Sequence, residues 1–198
     1  MGGFSSFNNF GQSSGPQKGK TVQHKFYLSL EELYQGTTKS MKVSRKRLNP
    51  DGRSTREESK VLKIDVKAGW KSGTKITFER EGDELPGVIP ADIQFIVGEK
   101  PHSRFKRDGN DLIFEQQITL KDALLGSLIV KVQTLDERYL QIAINRIVCP
   151  GYIHKVPGEG MPISKFNGNR RGDLLIKFDI VFPRNLTQQQ KNVIKQYL

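Results

Sequence analysis

Alternation of apolar and polar positions dominates the chain after its first twenty residues and predicts β-strands. Leu62, Ile64 and Val66, for example, alternate with charged residues, the pattern of a strand with one buried face. Helical spacing occurs in short stretches, at 30–34 and 120–125, each followed by a glycine suited to end a helix. These patterns predict an all-β fold with short helices.

An internal duplication divides this β-rich region. Residues 28–36 align with residues 118–126, a shift of 90 positions. Further pairs follow in the same order with shifts of 82, 78 and 81: 69–70 with 151–152, 81–82 with 159–160, and 91–95 with 172–176. A drifting offset with preserved order indicates one fold used twice. We therefore predict two β domains, at 21–100 and 101–183.

The first 20 residues differ from the rest of the chain in composition. They contain five glycines and three phenylalanines but no valine, isoleucine or leucine. Such a segment cannot bury enough apolar area to offset the entropy of ordering it, so we predict a flexible Gly/Phe-rich tail. A chain that begins inside such a stretch is typical of a fragment of a longer protein.

Residues 184–198 predict a terminal helix. Thr187 and Gln190 have the spacing of a capping box. Four apolar residues then fall on one helical face: Val193, Ile194, Tyr197 and Leu198. Because so short a helix is marginal alone in water, this face must pack on something. It packs either on its own domain or on a second copy of the chain, and the second alternative predicts a homodimer.

Net charge indicates an anionic partner without identifying it. The formal net charge is +11, which favours nucleic acid, a membrane surface or an acidic peptide. Cys149 is the single cysteine, which excludes an internal disulfide and suits a reducing compartment. The sequence lacks both the apolar core of a signal peptide and an apolar run of 18 residues. We expect a non-secreted protein of the cytoplasm or nucleus, without a membrane span.

Candidate catalytic residues are missing. His24, His102 and His154 are isolated from one another and from nucleophile or metal-ligand motifs. We therefore expect neither a catalytic site nor a metal or cofactor.

The most strongly charged stretch lies between residues 37 and 71, where eleven residues are basic and four are acidic. Within it, residues 39–43 alternate basic or polar side chains with Met41 and Val43. A strand of this kind either accepts an extended peptide by main-chain pairing or is a solvated strand whose lysines discourage aggregation. A nucleic-acid-binding module is the alternative function. The lysines lack interleaved aromatic residues for base stacking, which disfavours it, and titration with single-stranded nucleic acid at physiological salt distinguishes the two.

Five segments together resemble one family, the carboxy-terminal substrate-binding region of J-domain co-chaperones of the 40-kDa heat-shock family. They are residues 28–36, 47–52, 67–78, 105–112 and 155–162. The resemblance covers residues 21–198. The chain has neither a His-Pro-Asp tripeptide nor cysteine-rich zinc repeats, so it resembles the class II (type B) subfamily and should not stimulate the partner's ATPase by itself.

This resemblance implies a fold, partners and a site. The fold would be two tandem β-sandwich-like peptide-binding domains with a C-terminal dimerisation helix. The partners would be unfolded client polypeptides, delivered for folding, and the acidic Glu-Glu-Val-Asp tail of the 70-kDa heat-shock chaperone. Lys39 and Lys42 would meet the carboxylates of that tail. Five apolar residues would form a hydrophobic depression: Phe26, Met41, Val43, Leu62 and Phe95.

Overall fold

A computed structural model describes residues 17–166 and 168–197 of the chain. The first half contains β1 (Val22–Leu28), α1 (Leu30–Gln35), β2 (Thr37–Leu48), β3 (Thr55–Val66), β4 (Lys75–Phe78) and β5 (Ile93–Glu99). The second half contains β6 (Phe105–Asp108), β7 (Asp111–Thr119), α2 (Leu120–Leu125), β8 (Leu128–Gln133), β9 (Tyr139–Ile144), β10 (Ile153–Val156), a 3-10 turn at Ser164–Phe166, β11 (Leu174–Val181) and α3 (Gln188–Tyr197). Most of the predicted Gly/Phe-rich tail, and Leu198, lie outside the described residues.

Strand pairing confirms the predicted all-β class. In the described chain, the sheets have the strand orders β1-β5-β4, β10-β11-β7-β6, β2-β3 and β8-β9. The similar order of elements in the two halves agrees with the duplication: each half has a strand, a short helix and then a two-stranded hairpin.

The two short helices begin and end where the sequence predicts. Ser29 caps α1, since its hydroxyl accepts a hydrogen bond from the amide of Glu32. Gly36 and Gly126 end α1 and α2 with φ angles of 83° and 64°, which glycine adopts without strain. Each helix thus turns the chain from one sheet strand into the first strand of the following hairpin.

The described chain divides into two compact units that are discontinuous in sequence. The first comprises residues 17–26, Ser40–Ile64 and Lys75–Ile96. The second comprises residues Tyr27–Lys39, Asp65–Thr74 and 97–197. Strand β2 therefore has its first three residues in the second unit and the remainder in the first. The division into domains at residues 100 and 101 stays a prediction.

Each unit has its own apolar core. Buried residues of the first unit are Phe26, Val43, Leu62, Ile64, Ala91, Ile93 and Phe95. Those of the second unit include Leu28, Leu30, Leu33, Val97, Phe105, Leu112, Val130, Ile144, Met161, Leu174 and Ile176. In β3 the buried positions are Leu62, Ile64 and Val66, which confirms the alternation that predicted this strand.

Candidate functional site

One edge of β2 is open over five residues. Within the described chain β2 pairs with β3 alone. The amide of Asn49 donates to the carbonyl of Ser54 at 2.9 Å, so odd-numbered positions direct their main-chain groups toward β3. Lys46 directs its own groups to the opposite edge, where its carbonyl accepts from the amide of Glu84 at 2.9 Å. By this alternation, even-numbered positions face the edge away from β3.

The segment at Asp83 and Glu84 covers the C-terminal end of this edge. The Asp83 carboxylate accepts from the amide of Lys46 at 2.8 Å, and the Glu84 carboxylate accepts from the amide of Leu48. Among the described residues, no main-chain hydrogen bond reaches the stretch from Ser40 to Ser44 on this side. We call this stretch the β2 open edge. At Ser40, Lys42 and Ser44 it presents amide and carbonyl groups that can pair with an added strand.

Side chains along β2 alternate between a solvent-exposed face and a partly buried face. Ser40, Lys42 and Ser44 are exposed, whereas Val43 is only 9% exposed and Met41 is half-buried. Lys39 and Lys42 are three positions apart, so the pleat of the strand places them on opposite faces. The two lysines that the resemblance assigns to the tail's carboxylates therefore flank the edge from different sides.

The other predicted apolar site residues belong to the core of the first unit. Phe26 and Phe95 pack edge to face with ring centroids 6.2 Å apart, and Phe78 packs edge to face on Phe95 at 5.8 Å. Phe95 is 1% exposed and Leu62 is 5% exposed. These rings pack in the core of the first unit. Met41 is the most accessible of the five apolar residues assigned to the depression.

Much of the positive charge of residues 37–71 is neutralised by acidic residues, including Glu81 and Glu84 from beyond that stretch. Arg45 is 8% exposed and forms ion pairs with Glu58 and Glu81, and Lys60 contacts Glu81 at 2.7 Å. Burial raises the pKa of Glu81, but the hydrogen bond from Lys60 and the charge of Arg45 outweigh it and lower that pKa overall. Because Lys42 has no ion pair among the described residues, its charge remains available at the β2 open edge.

Lys39 differs from Lys42 in having an ionic partner within its own unit. Its ammonium group donates a hydrogen bond to Oε1 of Glu32, and the two side chains are 35% and 27% exposed. Sequence reasoning missed this pair, as well as the covering segment at Asp83 and Glu84. The sequence contains a sign of the ion pair but not of the covering segment. A short helix followed by a tight turn brings residue 32 back toward residue 39.

A second candidate surface lies at the C-terminal end of the chain. The helix α3 confirms the predicted capping box: the hydroxyl of Thr187 accepts from the Gln190 amide at 3.2 Å, and the Gln190 side chain accepts from the Thr187 amide at 2.9 Å. Val193, Ile194 and Tyr197 are 51%, 40% and 74% exposed, so their shared face is largely uncovered.

An apolar groove of about 810 Å³ runs between α3, α2 and the end of β11. Its exposed apolar residues are Leu124, Leu125, Val181 and Phe182, together with Val193 and Ile194 of α3. Sequence reasoning identified the helix but not the groove, although the adjacent apolar residues Val181 and Phe182 at a strand end were a sign of it. An exposed apolar surface of this kind marks an interaction site.

The described residues contain neither a metal-binding cluster nor a helix that could span a membrane. No group of three or more histidine, cysteine, aspartate or glutamate side chains in residues 17–166 and 168–197 is placed to hold a metal ion. In the same part of the chain, every helix is too short or too polar to cross a membrane.

Comparison with known proteins identifies the class to which this all-β protein belongs. Residues 22–183 match the DnaJ C-terminal domain, so the chain belongs to that family of co-chaperone domains. The similar relatives include members of DnaJ subfamily B, which confirms the class II resemblance. The family is non-enzymatic, and membership supports a chaperone role for the chain.

Three relatives illustrate the extent of the similarity. The chain is 43% identical to human DnaJ homolog subfamily B member 5, over 100% of its own length and 60% of the relative. It is 51% identical to human DnaJ homolog subfamily B member 13, over 96% of its own length and 60% of the relative. It is 44% identical to DnaJ protein homolog 1 of Drosophila melanogaster, over 97% of its own length and 57% of the relative. The chain thus spans about 60% of the length of these relatives.

Proposed function

We propose that the chain is the substrate-binding part of a co-chaperone and that an extended peptide adds to the β2 open edge. The observation that carries this proposal is an edge from Ser40 to Ser44 whose main-chain groups have no partner among residues 17–166 and 168–197, flanked by lysines on both faces. Pairing through the main chain tolerates many ligand sequences, because it uses groups that every peptide has. This tolerance suits the capture of unfolded client segments.

Acidic peptides are the ligands that fit this edge best. Consecutive side chains of an added strand point to opposite faces. Lys39 and Lys42 likewise lie on opposite faces of β2. A ligand with carboxylates an odd number of positions apart can therefore reach one lysine on each face. The half-buried Met41 offers an apolar contact on the partly buried face of β2. The acidic tail of a 70-kDa heat-shock chaperone meets these requirements, and we propose it as the partner in the cytoplasm or nucleus.

Removing both lysines tests the proposed site. The double variant Lys39→Ala plus Lys42→Ala should bind an acidic C-terminal octapeptide about tenfold or more weakly than the parent, because two charge-assisted contacts are lost. Isothermal titration at low and at physiological salt measures the affinity, and the salt dependence should flatten in the variant.

The matched control is Lys75→Ala plus Lys131→Ala, which removes the same charge from exposed positions of β4 and β8, strands of sheets that do not contain β2. This control should retain affinity close to that of the parent. Equal weakening in both double variants would mean that the peptide responds to net charge alone, and undiminished affinity in the first would rule out the assigned site.

We also propose that the chain forms a homodimer through α3. An isologous contact uses the same patch on both copies, and here α3 and the apolar groove lie in one unit of one chain. Each copy can thus place the apolar face of its helix against the groove of the other. Leu198, predicted to extend this face, lies outside the described residues.

A further inference from the structure

The carboxylate of Glu32 serves two partners at once. Its Oε2 accepts a hydrogen bond from the main-chain amide of Ser29 at 2.9 Å, which completes the capping box of α1. Its Oε1 accepts from the ammonium group of Lys39. The second contact is not needed for the first, because capping requires only one acceptor oxygen at this position.

The contact with Lys39 is ionic and open to exchange. The hydrogen bond from Lys39 is the main cause that holds the pKa of Glu32 below its ordinary value, so the Glu32 carboxylate is charged at neutral pH. Both side chains are also partly exposed, at 35% for Lys39 and 27% for Glu32. Partly exposed ion pairs are weak, so an incoming carboxylate can compete for the ammonium group.

We propose that Glu32 is a built-in competitor that lowers the affinity of the β2 open edge for acidic ligands by occupying Lys39 in the unliganded protein. This inference rests on the proposed function, because it assigns a ligand carboxylate to Lys39. An acidic ligand must displace Glu32 or share the lysine with it, whereas a ligand without a carboxylate at that place does not meet the competition. Glu32 therefore sets how strongly the site prefers acidic over neutral peptides.

Glu32→Gln isolates this effect. The glutamine keeps a side-chain oxygen that can accept from the Ser29 amide, so the cap of α1 is retained while the charge opposite Lys39 is removed. The probes are an acidic C-terminal octapeptide and the same peptide with its carboxylates replaced by amides. Affinity for the acidic peptide should rise about two- to fivefold, and affinity for the neutral peptide should not change.

Glu31→Gln is the matched control. Glu31 is the neighbouring residue with the same charge, but its carboxylate contacts Nε2 of His102 at 2.9 Å rather than Lys39. This variant should bind both peptides as the parent does. In a Lys39→Ala background, Glu32→Gln should bring no gain, because the lysine for which the carboxylates compete is absent.

Three results would rule out competition between Glu32 and the ligand for Lys39. They are unchanged or weaker acidic-peptide binding by Glu32→Gln, equal tightening by Glu31→Gln, and a full gain without Lys39. These differ from failure of the proposed function, in which the parent chain does not bind the acidic peptide or binds it undiminished after both lysines are removed. Circular dichroism of each variant verifies that the fold is intact before affinities are compared.

Discussion

Replacing Ser44 with proline should strongly weaken peptide binding while leaving the protein folded. The amide of Ser44 faces the β2 open edge and not β3, so its loss breaks no internal pairing. Proline removes that donor and places its ring where an added strand would approach. Edge strands accept proline where the amide faces solvent. We expect acidic-peptide affinity to fall on the order of tenfold or more, measured by titration calorimetry.

Two companion variants make this result interpretable. Ser44→Ala removes the hydroxyl but keeps the amide, and it should bind as the parent does. Ser40→Pro blocks the same edge two pairing positions away and should also lose binding. Parent-like affinity in both proline variants, with thermal melting near that of the parent, would show that the ligand does not pair with this edge.

Introducing charge on the apolar face of α3 should convert the dimer to a monomer. Val193→Asp plus Ile194→Asp places two carboxylates in a contact that would otherwise bury both apolar side chains, and burying unpaired charge is strongly unfavourable. Light scattering at micromolar concentration should give about twice the chain mass of 22.5 kDa for the parent and the single-chain mass for the variant.

The control for the dimer carries the same charge on the other side of the helix. Gln188 and Asn192 lie opposite the apolar face, so Gln188→Asp plus Asn192→Asp should remain dimeric. A parent chain that is monomeric at high concentration would overturn the dimer, and a dimeric Val193→Asp plus Ile194→Asp variant would place the contact elsewhere.

Local sequence patterns predicted the features that depend on local interactions. Gly36 ends α1, and Thr187 with Gln190 begins α3, because caps use residues within one helical turn of each other. The buried face of β3 likewise follows from its alternation. The opposite faces of Lys39 and Lys42 were also readable from their odd spacing, although the charge count alone gave no sign of it.

Features that depend on distant parts of the chain were not predictable in this way. The Asp83 and Glu84 segment covers β2 at Lys46 and Leu48 from more than thirty residues away, and nothing local to either segment indicates it. Glu81 neutralises Arg45 and Lys60 in the same manner, so the count of basic residues between 37 and 71 overstated the free charge. Which part of β2 stays open was therefore decided by tertiary contacts.

Amide hydrogen exchange, resolved by residue and recorded with and without an acidic C-terminal octapeptide, tests the added strand most directly. Our account predicts that the amides of Ser40, Lys42 and Ser44 exchange quickly in the free protein and become protected when the peptide binds, since an added strand would accept their hydrogen bonds. The amide of Lys46, already bonded to Asp83, should change little. The account would be contradicted if saturating peptide left these three amides unprotected, or if it protected the amides of β8 instead.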